Sequence, residues 1–126
     1  MQVPPEFTTG LLIESAPDGQ VQVGFAKEGV LLGDFTLSPL DVANMAAAML
    51  AASRDGSGRL PAEQQAEQAG ALVMPSSFGL GPGSTPEEEA LVLSFGQSHL
   101  AFSMQPQVMR SLGESMLAIS ERHRSS

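Results

Sequence analysis

The sequence predicts an α+β fold: a duplicated strand-strand-strand-helix unit, its antiparallel sheet carrying two long helices packed on one face. Three observations lead there. The first is internal similarity. The windows 29–53 (GVLLGDFTLSPLDVANMAAAMLAAS) and 96–120 (GQSHLAFSMQPQVMRSLGESMLAIS) align without a gap over 25 positions, at an offset of 67. Seven pairs are identical: Gly29/Gly96, Phe35/Phe102, Pro39/Pro106, Met49/Met116, Leu50/Leu117, Ala51/Ala118 and Ser53/Ser120. The second is a change of hydrophobic period, from two to about 3.6, at the same place in both windows. The third is a proline at the expected first helical position of each.

Each element follows from its punctuation. Residues 10–15 are β-rich, and Ala16-Pro17-Asp18-Gly19 has turn chemistry, with Gly supplying positive φ. Residues 20–26 alternate, placing Val21, Val23 and Phe25 on one face and Gln20, Gln22 and Gly24 on the other. Lys27-Glu28-Gly29 turns the chain into a third strand over 30–37. Ser38 is a good N-cap, Pro39 opens the helix, and Asp41 stands three residues after the cap. That helix is expected to reach about Ser53, with Gly56 placed to end it. In the second unit the expected strands are 69–74, 90–95 and 98–104, followed by a helix from Pro106 to about Arg122. Glu87-Glu88-Glu89 is expected to form at most one helical turn.

Read this way, the chain is a single domain over 1–126. Unit one covers about 9–56, a polar connector about 54–68, and unit two about 69–123. The connector has a potential short helix at 61–68. The segment 75–86 (PSSFGLGPGSTP) is rich in Gly, Pro and Ser, and reads as a mobile loop.

Composition removes several function classes. There is no cysteine, hence no disulfide and no thiolate chemistry, and two histidines are too few for a three-histidine metal centre. The net charge of −8 disfavours phosphate backbones and anionic lipid, so neither nucleic acid nor membrane is an expected partner. The longest apolar stretch, 42–52, is interrupted by Asn44 and is too short to span a bilayer. The N-terminal residues lack a signal-peptide pattern, so a cytoplasmic location is expected. No cofactor and no metal site are expected. Gly79-Leu80-Gly81-Pro82-Gly83-Ser84 lacks the lysine of a phosphate loop, and three glutamates follow it.

The two helices differ in one informative way. Their large side chains match: Val42, Met45 and Met49 in the first, Met109, Leu112 and Met116 in the second. These form the stripe expected to face a sheet. On the next face the first helix carries Leu40 and a ridge of Ala43, Ala47 and Ala51, where the second carries Arg110, Glu114 and Ala118. A ridge of alanines lets another helix approach closely. The leading expectation is therefore a non-catalytic protein-binding protein of adaptor or inhibitor type. It would act through Leu40, Ala43, Ala47 and Ala51, on a protein partner or by homodimerisation. The alternative is a small-molecule-binding protein or small enzyme, with a groove between the units that uses Phe78 and His99.

Overall fold

The computed structural model describes residues 1–66 and 70–124. The chain divides into two compact units, Met1–Leu72 and Val73–Ser126. Each holds a three-stranded antiparallel meander and one long helix, so the expected single sheet is in fact two sheets.

In the first unit β1 (Gly10–Ser15), β2 (Val21–Lys27) and β3 (Val30–Leu37) pair in sequence order. The β1–β2 turn closes as its residues require. Asp18 Oδ1 accepts a hydrogen bond from the Gln20 amide at 3.0 Å, and Gly19 takes φ 85°. The β2–β3 hairpin has two loop residues, Glu28 (φ 53°) and Gly29 (φ 81°), between the paired Lys27 and Val30. Both central residues are left-handed, as the twist of a type I′ hairpin demands. Glycine adopts that conformation freely; glutamate does not.

The register places Leu11 and Ile13, Val23 and Phe25, and Phe35 and Leu37 on one face, with a β-bulge between Phe25 and Ala26. This is the face expected to form the core, yet only Val23 on it is buried; Leu11, Ile13, Phe25 and Phe35 are exposed. The opposite face is covered instead. Gly24 and Ala26 are buried there. A Cβ on Gly24 would fall 2.3 Å from Met1 Sδ and 3.0 Å from Leu31 Cδ1. Glycine thus makes room for the residues that precede β1. That segment is tied to the hairpin, because Thr8 O accepts from the Gly29 amide at 2.8 Å and Thr9 Oγ1 from the Glu28 amide at 3.1 Å.

The helix α1 (Pro39–Gly56) begins with the expected capping box. Ser38 Oγ accepts from the Asp41 amide, and Asp41 Oδ2 accepts from the Ser38 amide, each at 3.1 Å. Pro39 occupies the first turn, where its missing N–H costs nothing. The helix runs three residues past the expected Ser53, through Arg54 and Asp55. A 3-10 turn (Ser57–Arg59) and the short helix α2 (Ala62–Gln65) follow. Gln65 Nε2 holds that turn by donating to Leu60 O at 2.6 Å.

In the second unit β4 (Ser77–Pro82), β5 (Glu89–Phe95) and β6 (Ser98–Met104) pair in sequence order and lead into α3 (Pro106–Arg124). Here two expectations fail together. Of the strand expected at 69–74, Ala69 lies outside the described residues; residues 70–74 form no strand, and Leu72, Val73 and Met74 are exposed. The strand lies instead inside the segment read as a mobile loop. It is secured by its backbone ladder to β5 and by Ser76, whose Oγ donates to Ser94 O at 2.9 Å and accepts from the Gly96 amide at 3.0 Å. Glycines at 79 and 81 hid an alternation of Phe78 and Leu80 that the ladder makes real. The β4–β5 connection is also ordered: the Gly83 amide donates to Glu88 O at 3.0 Å and the Glu88 amide to Thr85 O at 3.1 Å.

Two stability predictions follow from the turns. Glu28→Asn relieves a left-handed glutamate and should stabilise unit 1 by ~0.5–1 kcal/mol, read from urea unfolding. Gly83→Ala should destabilise unit 2 by ~1–3 kcal/mol, because its Cβ would lie 2.6 Å from the Glu88 backbone carbon, which cannot swing away.

Candidate functional site

The two faces of the second sheet have different chemistry. Cross-strand pairing aligns Phe78 with Leu93 and Leu80 with Leu91, then Leu93 with Leu100 and Leu91 with Phe102. Every one of these side chains is apolar, and period-two alternation puts them on one face. The other face carries Ala90, Val92, Ser94, His99 and Ser103.

The helix α3 is amphipathic, with Met109, Leu112 and Met116 on one stripe and Arg110, Glu114 and Glu121 away from it. The stripe is turned toward the apolar sheet face without closing on it. Between them lies a cleft of about 580 Å³, lined by Phe78 and Leu80 of β4, Leu91 and Leu93 of β5, and Met109, Leu112, Gly113 and Met116 of α3, with Pro75, Ser76 and Ser77 at one side. Its lining contains no charged side chain. Leu91, Leu93, Met109 and Leu112 are half-buried, whereas Phe78, Leu80 and Met116 remain exposed.

Phe78 therefore belongs to a cavity, but His99 does not share it. His99 lies on the other face of the same sheet, with Nδ1 2.7 Å from Ser94 Oγ. A serine–histidine contact supports nucleophilic chemistry only when a third group orients the ring and donors await an oxyanion. The neighbouring pair on this face is Val92 and Ala101, which offers neither. Farther along, Glu88 accepts hydrogen bonds from Ser103 Oγ and from Ser84 Oγ, the latter at 2.9 Å. These bonds, Ser103 first, hold the Glu88 carboxyl below its ordinary range, against a small opposing effect of desolvation. The cluster ties the β4–β5 connection to β6. Among the described residues no group of three or more His, Asp or Glu side chains could hold a metal ion.

The α1 residues singled out by sequence are placed as follows. Leu40 and Ala47 are exposed, and Ala43 and Ala51 are half-buried. The stripe on the other side of the helix is open too: Met45 and Met49 are exposed, as is Leu50 near the alanine ridge. No residue of α1 is buried. No described helix is long and apolar enough to cross a membrane.

The sheet-side walls of the cleft are not legible in the sequence, because β4 lies within a Gly, Pro and Ser-rich segment that has the composition of a loop. The α3 wall left one trace in the sequence: Gly113 stands inside the helix on the side turned to the sheet, where a helix ordinarily carries a larger residue.

The Glu88 cluster generates a pH prediction. A carboxyl whose pKa is depressed on folding contributes stability above its unfolded pKa and loses it as pH falls through the folded value. Glu88→Gln should therefore be less stable than wild type near neutrality, and the gap should narrow below about pH 4, as read from urea midpoints measured across pH.

Compared with known proteins, the chain matches no family model, no curated protein and no solved structure.

Proposed function

We propose that this protein is a non-catalytic association module, in which a second copy of the chain packs on α1 through Leu40, Ala43, Ala47 and Ala51. One observation carries the reading. Between Asn44 and Arg54 the helix α1 has no charged residue on any side, yet none of its residues is buried. A helix that is apolar all round is the kind that a core surrounds. Its own unit covers little of it, since Met45, Met49 and Leu50 are exposed, so the helix still needs a cover. The amphipathic α3 has no such need, since its outer side carries Arg110, Glu114 and Glu121.

The alanine ridge favours a second copy as that cover. Small residues four apart form a shallow ridge, and two such ridges interdigitate with close interaxial approach. The same patch on both chains is what a two-fold interface requires. Duplication belongs to the same proposal. The strand β1 starts at 10 and β4 at 77, each with six residues, and both long helices open with proline. One ancestral unit could then have kept the association surface in its first copy and replaced it with Arg110 and Glu114 in its second.

Light scattering tests the reading. Wild-type protein should have twice the 13.1 kDa chain mass at micromolar concentration, and Ala47→Glu should return it to the chain mass. Placing an unpaired carboxylate in such an interface costs about 3–5 kcal/mol, so the dimer constant should weaken by at least 100-fold. Added salt should strengthen the wild-type dimer, because copies of charge −8 repel each other through solvent while the patch itself is uncharged. A wild-type mass of one chain at every concentration would overturn the proposal, as would an unchanged mass in Ala47→Glu.

A further inference from the structure

We infer that the cleft between the second sheet and α3 is a binding site for a slim, uncharged apolar small molecule. This goes beyond association through α1 and uses different residues.

The size of the cleft argues first. About 580 Å³ lies within the range of small-molecule sites. A helix with its side chains is about 10–12 Å across, so this space admits only about one turn of one. A peptide helix of several turns would lie mostly outside this space, whereas a hydrocarbon chain or a fused aromatic ring can lie within it.

The lining argues second. Phe78 and Leu91 face Met109 and Met116 across the gap, and no charged group stands among the lining residues. The one tethered hydroxyl at its side, Ser76, already donates to Ser94 O and accepts from the Gly96 amide. Charge placed against these apolar walls would find no charged partner there, at a cost in desolvation. An uncharged apolar ligand gains the burial of the surface it lays against these walls. The two methionines add side chains that adjust to the shape of the ligand.

Gly113 argues third. Glycine inside a helix costs about 1 kcal/mol relative to alanine. Its backbone does not call for glycine, since its φ is not left-handed, and a Cβ there would meet nothing within 4 Å. What the missing side chain does is leave the cleft open at its α3 wall. The residue aligned with it in the first unit is Ala46.

The test uses N-phenyl-1-naphthylamine, an uncharged apolar fluorophore, on the full chain carrying 13C-methyl methionine. Binding should saturate at one dye per chain and shift the methyl signals of Met109 and Met116, leaving those of Met45 and Met49 in place. Gly113→Phe should fill the cleft and weaken binding at least tenfold, with a melting temperature equal to or above that of wild type. If that variant folds poorly, Gly113→Leu makes the same test with a smaller plug. Ala47→Glu should bind the dye as wild type does, which separates failure of this site from failure of the α1 interface. Three results would overturn the inference: no saturation, equal shifts at Met45 and Met49, or undiminished binding by a well-folded Gly113 variant. Met109 and Met116 signals that move on dilution and not with dye would also overturn it, by assigning the cleft to a second protein chain.

Discussion

The constraint on which the rest depends is a shortage of cover. A twisted three-stranded sheet has two faces, and one helix can shield only one of them. Each unit of this chain supplies a single long helix. Its accessible surface is 10026 Å², against about 6,400 Å² for a folded monomer of this mass, and about 7,700 Å² for two free-standing domains of half the mass. The excess over the second figure means that the units are themselves open. Only Val23, Ala26 and Ala90 are buried hydrophobic residues among those described. So little burial leaves each unit a small apolar contribution to its stability, and the uncovered apolar surfaces are where further contacts have most to contribute.

Each unit meets the shortage differently. In the first, the residues before β1 cross the sheet face that holds Gly24 and Ala26, leaving the Leu11, Ile13, Phe25 and Phe35 face to the other side. The helix α1 is then apolar on both flanks. In the second, α3 keeps a charged outer side and turns its apolar stripe toward the sheet, but a gap remains. Small residues have opposite uses in the two helices. Alanines at 43, 47 and 51 let another backbone come close, whereas glycine at 113 keeps a space unfilled.

What the sequence revealed depended on how local each signal is. The capping box at Ser38 and Asp41, the Pro39 start and the Ala16–Gly19 turn are settled within a few residues, and the structure reproduces them. The strand β4 was concealed because its stability is not local. Ser77 to Pro82 has poor strand propensity, and it is a strand because β5 lies beside it and Ser76 anchors its start. Conversely, Leu72, Val73 and Met74 have the composition of a strand but pair with no strand among the described residues. The offset of 67 that separates the two helix starts also separates Gly10 from Ser77, the first residues of β1 and β4.

The candidate sites were legible to the same degree. The alanine ridge is visible in sequence because helical periodicity is intrinsic to the helix. The grouping of Phe78 with His99 was not reliable, because strand alternation places them on opposite faces once β4 and β6 both flank β5. A cavity is a property of separation between elements, and no residue type encodes separation directly. Gly113 comes closest. Glycine there weakens the helix with no demand from backbone geometry and no neighbour to clash with, and it leaves the space beside it unfilled. That argument separates the cleft from the merely exposed faces of this protein: those lack a cover, while the cleft already has one and keeps it at a distance.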